Sequence, residues 1–153
     1  MLVRAREKAA QPPAGAAAVA FAEADALELP FADASFDLAT TAFGFRNLAN
    51  YERGLREMHR VLRRGGELGM VEFTAPAGTL LGALYRFYFT RLVPRLGGAI
   101  SGNAAAYSYL PDSVAKFPSP EDLAARMSRA GFEEVRFERW TFGAVALHTA
   151  RRP

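Results

Sequence analysis

Apolar positions along the chain switch between a spacing of two and a spacing of three to four, and the switches fall at glycine, proline and asparagine. Met1 to Ala10 reads as the tail of a helix, ended at Gln11-Pro12-Pro13-Ala14-Gly15. A short strand is expected over Ala17 to Glu23, with Val19 and Phe21 on one face. Leu29-Pro30-Phe31 leads into a loop, and Phe36 to Phe43 predicts a second strand whose Thr40-Thr41 pair and aromatic ends suit a pleated surface. The helix that follows is the clearest element. Asn50 stands where an N-cap belongs, and Tyr51, Leu55, Met58 and Leu62 repeat at helical spacing. Arg63 and Arg64 are expected in its last turn, complementing the helix dipole, with Gly65-Gly66 as the stop.

A further strand is predicted from Glu67 to Phe73. The aromatic stretch Leu80 to Leu96 comes next and breaks at Gly97-Gly98. Ser119-Pro120-Glu121-Asp122 reads as a capped helix start with proline in the first turn, and Gly131 as its end. Two final strands, Glu133 to Thr141 and Ala144 to Ala150, are joined by Phe142-Gly143 and should pair antiparallel. Alternation of strand and helix means an α/β fold with a mostly parallel sheet and a C-terminal antiparallel hairpin.

With 153 residues and 50% hydrophobic content the chain can build one core. It has no cysteine, which excludes disulfides and thiolate metal sites, and its two histidines, His59 and His148, show no metal-ligand spacing. The net charge of +3 comes from scattered arginines interleaved with acids, with Lys8 and Lys116 the only lysines. No basic face is clustered, so nucleic acid is not an expected partner. Met1 to Ala10 is charged, unlike a signal peptide, and Arg86, Arg91 and Arg95 interrupt the most apolar stretch, which argues against a transmembrane helix. A cytoplasmic protein is expected.

Ala24-Asp25-Ala26-Leu27-Glu28-Leu29-Pro30-Phe31 with Ser35-Phe36-Asp37, and His59 to Gly66 with Arg64 in place of the usual proline, resemble segments of Rossmann-like methyltransferases. Phe43-Gly44-Phe45-Arg46-Asn47, Val71-Glu72-Phe73-Thr74-Ala75-Pro76, Val93 to Gly97, Tyr107 to Val114 and the ending through Gly143-Ala144-Val145-Ala146-Leu147-His148 narrow the likeness. They are similar to the ubiquinone/menaquinone-biosynthesis C-methyltransferase family, over nearly the whole chain. The resemblance implies an S-adenosylmethionine-dependent enzyme that methylates a demethylmenaquinol or related prenylated benzoquinol. It also implies one domain over 1–153, with 75–118 as a helical insertion covering the substrate.

The family's glycine-rich cofactor turn and ribose-binding acid have no counterpart upstream of Gly15. Met1-Leu2 resembles the pair that follows that acid, so the expectation is a truncated product or a start assigned too late. Little cofactor affinity is then expected of the chain alone, and the Phe36 strand should expose an unpaired edge, which favours self-association.

Site residues follow from the resemblance. Asp25 and Ala26 are expected against the adenine, with Asp25 accepting from the exocyclic amine. A turn aspartate capping its own backbone is the plainer alternative. Ala42 falls where the family often has a cofactor-contacting serine. Arg46 and Asn47 are expected at the reaction site, where an arginine holds a quinol oxygen as phenolate or orients a water. The alternative for Arg46 is a structural ion pair. Glu72 is expected to be a salt-bridged structural residue, His148 to be packed and His59 to be solvated. The aromatic stretch suits a polyprenyl tail, and its arginines suit anionic headgroups at the inner face of a membrane. The competing class is an inactive remnant that binds a partner or a membrane surface.

Overall fold

The computed structural model describes residues 18–74 and 113–153. The predicted helix tail at Met1–Ala10, the aromatic stretch Leu80–Leu96 and most of the 75–118 insertion lie outside the described residues.

Four strands form one sheet: β1 (Phe36–Ala42), β2 (Leu62–Phe73), β3 (Glu133–Trp140) and β4 (Val145–Arg151), in the spatial order β1-β2-β4-β3. β1 and β2 run parallel, with Ala42 beside Val71, and β4 pairs antiparallel with both β2 and β3. The final hairpin is antiparallel as expected, but β3 ends at Trp140 and β4 starts at Val145, so Thr141 to Ala144 rather than Phe142-Gly143 alone connect them. Between β1 and β2 lies helix α1 (Tyr51–Val61), and ahead of β3 lies α2 (Pro120–Arg129). Asn50 caps α1 by accepting the Arg53 N–H at 2.9 Å, and Ser119 caps α2 by accepting the Asp122 N–H at 3.1 Å. α2 ends at Gly131, whose φ of +102° a side chain resists.

Both helices cover the same face of the sheet. Leu55 from α1 and Leu123 and Met127 from α2 join Leu68 and Met70 of β2 and Ala150 of β4 in one core. Period-two alternation then dictates the other face: Leu68, Met70 and Glu72 are buried, while Glu67, Gly69, Val71 and Phe73 between them are less so.

Three expectations need correction. Residues 18–24 form no strand. The stretch is alanine-rich, Val19 is 64% exposed, and among the described residues no ladder partner runs beside it. Helix α1 stops at Val61, before the arginine pair. Leu62 already pairs with Phe36, and the N–H of Gly65 and the carbonyl of Gly66 bond Arg152, so the sheet claims these residues. Gly66 serves close strand approach: a Cβ there would lie 3.1 Å from the Asp37 carbonyl oxygen and 3.2 Å from that of Phe36. Arg63 accordingly pairs with Asp37 across the strands. His59, third, is partly buried, packed edge-on against Phe132 at 5.1 Å.

Candidate active site at the carboxyl end of the parallel strands

Ligands of open α/β sheets sit beyond the carboxyl ends of the parallel strands, which here means the ends of β1 and β2. β1 ends at Ala42, exposed, and the chain turns through Phe43, whose φ of +56° is a left-handed conformation that costs a non-glycine residue about 1 kcal/mol or more. A 3-10 turn over Phe45–Asn47 follows. Asn47 is exposed there, its N–H donating to the Gly44 carbonyl at 3.1 Å.

Arg46 turns inward. It is 6% exposed, and its partner Glu72, near the end of β2, is fully buried. The guanidinium donates to Glu72 at 2.8 Å, and the Arg46 backbone N–H reaches the second carboxylate oxygen at 3.1 Å. Glu72 also accepts the N–H of Phe73 at 2.9 Å. The rest of the arginine is held by the Phe43 carbonyl, by Ser113 Oγ at 3.3 Å from Nε, and by the Phe73 ring, whose centroid lies 5.5 Å away. Tyr51 donates its hydroxyl to the Arg46 carbonyl at 3.1 Å. The structural ion pair and the salt-bridged Glu72 are thus both present. A buried pair satisfied on this many sides is neutral overall and rigid, so its guanidinium end is a fixed hydrogen-bond donor and dipole that an oxygen can meet without reorganisation.

Asp25 lies on the other side of α1. Its Oδ1 accepts the Leu27 N–H at 2.9 Å, the turn-aspartate arrangement, and the side chain is exposed. Ala26 beside it is half-buried. The turn opens a loop that descends along α1. Arg53, in the first turn of the helix, donates to the Leu27 carbonyl at 2.7 Å, and Arg60, in the last turn, donates to the Phe31 carbonyl at 2.7 Å. α1 starts at the carboxyl end of β1, so this descent puts Asp25 and Ala26 at the same end of the sheet as Ala42, Arg46 and Asn47. An exposed carboxylate beside small residues fits the adenine end of a nucleoside. Glu57 is central to the descent: ion-paired with Arg60 and accepting the Leu29 N–H at 2.8 Å, its carboxyl is held down to about 2.

His148 is buried as expected for packing, its Nε2 2.9 Å from the Pro120 carbonyl oxygen, and burial lowers its pKa. Sequence reasoning assigned nothing to Tyr51, Ser113 or Thr74. Thr74 is buried, donating its hydroxyl to the Gly143 carbonyl at 2.7 Å. Tyr51 was legible only as part of a helical stripe, and nothing in the order of residues brings Ser113 to Arg46. Among the described residues no group of side chains suits a metal ion, and no helix is long and apolar enough to cross a membrane.

The model of the ubiE/COQ5 methyltransferase family matches residues 1–152. The chain belongs to that family. It is 54% identical over 153 residues to the demethylmenaquinone methyltransferase of Thermus thermophilus, covering all of this chain and 68% of that protein. With the demethylmenaquinone methyltransferase of Deinococcus radiodurans it shares 51% over 147 residues, 96% of this chain and 59% of the relative. The chain therefore spans about six-tenths to two-thirds of the length of these relatives. The fold is similar to that of an S-adenosylmethionine-dependent methyltransferase of Thermotoga maritima. The TM-score is 0.60 at 24% identity, covering 85% of this chain and 62% of the other. The Rossmann-like methyltransferase fold is thereby established.

Proposed function

We propose that the chain carries out, within the protein it belongs to, C-methylation of a demethylmenaquinol or related prenylated benzoquinol in quinone biosynthesis. The observation that carries this reading is the 54% identity running the whole chain to a demethylmenaquinone methyltransferase. S-adenosylmethionine, when bound, supplies an electrophilic methyl group on a sulfonium.

The residues of this chain have the following roles. Asp25 accepts from the adenine amine with the carboxylate oxygen not used by Leu27, and Ala26 and Ala42 leave room for the nucleoside. Arg46, fixed by Glu72, presents oriented guanidinium donors to the ring oxygen of the quinol and favours its phenolate form, which enriches the ring carbon that attacks. Asn47 orients the same oxygen or a water beside it. The prenyl tail places the reaction at the inner face of a membrane, in a cytoplasmic protein touching it peripherally. The 86% exposed Phe142, in the β3–β4 connection at the same end of the sheet, supports such contact.

The test is methyl transfer from labelled S-adenosylmethionine to a short-chain demethylmenaquinol, using the whole reading frame that contains Met1. Methylated quinol is expected, and Arg46→Ala should lower kcat about 100-fold or more with little change in cofactor binding. Equal turnover in that variant removes Arg46 from the mechanism. Neither binding nor transfer by the parent would refute the enzyme and favour a remnant that associates with a partner or with vesicles.

A further inference from the structure

The loop below Asp25 is held almost entirely by side chains of one helix. Arg53, Glu57 and Arg60 recur at helical spacing on one face of α1. Arg53 donates to the Leu27 carbonyl at 2.7 Å and pairs with Glu28 at 3.1 Å. Glu57 accepts the Leu29 N–H at 2.8 Å, and Arg60 donates to the Leu29 carbonyl at 2.9 Å. Arg60 also bonds Asp33 at 2.7 Å and grips Glu57 at 2.8 and 2.9 Å. The backbone joins in at the foot, where Ala34 and Ser35 donate to the carbonyls of Arg60 and Val61.

Leu27, through the two peptide groups that flank it, is the link to the turn above. Its N–H fixes Asp25 Oδ1 at 2.9 Å while its carbonyl is fixed by Arg53. An exposed turn aspartate has several rotamers, and ordering one of them opposes binding through lost side-chain entropy. With the turn closed by the Glu28 N–H on the Asp25 carbonyl at 3.0 Å, a residue held at both its N–H and its carbonyl restricts that freedom before the ligand arrives.

We propose that Arg53, Glu57 and Arg60 are positioning residues for nucleoside recognition, aiming the Asp25 carboxylate through the backbone of Leu27 from a helix face that does not touch the ligand. This rests on the reading of Asp25 as the adenine contact, and the experiment separates the two.

The experiment titrates adenosine at low temperature into the protein expressed from the whole reading frame that contains Met1 and follows the Ala26 and Leu27 amides by NMR. Amide exchange and thermal midpoints are recorded for the same samples. Weak, millimolar binding is expected of the parent. Asp25→Ala should abolish the response. Arg53→Ala should weaken binding about three- to tenfold, the effect of leaving one side chain to be ordered by the ligand, and speed Leu27 exchange. Arg53→Lys should recover most of the affinity, and Glu57→Ala should behave like Arg53→Ala. Arg56→Ala, an exposed change on the neighbouring face, should do nothing. Affinity within twofold of the parent in Arg53→Ala and Glu57→Ala, with Leu27 exchange accelerated, overturns the positioning role and leaves the Asp25 contact standing. A parent that shows no response, or a response that survives Asp25→Ala, overturns the adenine contact and the inference with it.

Discussion

The two faces of the sheet treat their side chains in opposite ways. Beneath α1 and α2, Leu68, Met70, Ala146 and Ala150 are sealed from water, together with two polar groups, Glu72 and His148. On the opposite face Leu38 is 56% exposed, and Glu67, Thr40 and Thr149 meet solvent directly. The contrast lies less in how much apolar surface each face carries than in what each polar group has been given. Glu72 bonds a guanidinium and two backbone N–H groups, and His148 bonds a carbonyl. Glu67 needs no such partners, because water supplies them. A polar group on the covered face is therefore costly to disturb, and one on the open face is nearly free.

The largest break in that contrast should come from Glu72→Ala. It strands Arg46 as a buried, unpaired charge, and denaturant unfolding should show a loss of about 3–5 kcal/mol. A loss below about 1 kcal/mol would mean that Arg46 escapes to solvent. Met70→Ala follows, with about 2–5 kcal/mol lost through transfer and cavity terms on the covered face. Acid should expose His148 next. Burial lowers its pKa below 6.5 in the folded state, so the unfolded chain takes up the proton first, and stability falls as the pH drops below 6.5. The limiting slope is about 1.4 kcal/mol per pH unit for each such histidine. His59 is shifted the same way by burial, so His148→Gln should remove part of the slope and leave the contribution of His59. Smallest is Leu38→Ser on the open face, which should move the unfolding free energy by about 0.5 kcal/mol or less. A larger effect there would show that this face is covered in solution.

Local chemistry carried the parts of the fold that were readable in advance. Asn50, Ser119-Pro120 and Gly131 act on residues within a turn of themselves, so their roles survive without knowledge of the partner elements. The misread boundary at Arg63-Arg64-Gly65-Gly66 has the opposite origin. Two cations before two glycines make a good helix end locally, but a ladder to Phe36 and bonds to Arg152 lie far along the chain and outweigh it. The expected strand over 18–24 finds no ladder partner among the described residues, a condition that no alternation of Val19 and Phe21 reveals. At the candidate site, family motifs singled out Asp25, Ala26, Ala42, Arg46 and Asn47 as the residues to examine. Their fixing was not legible in those motifs: the partners of Arg46 come from Glu72 and Ser113, and the loop after Asp25 is held by the far side of α1.

The chain leaves the described sheet at Thr74 and returns at Ser113, and both points are tied down. Thr74 is bonded through hydroxyl and N–H to the carbonyls of Gly143 and Ala144, and Ser113 to the guanidinium of Arg46. These moorings are made to the sheet and its own turns, so they do not depend on the length of chain strung between them. The sheet end thus behaves as a socket with two fixed pins, one set by the β3–β4 connection and one by the turn after β1.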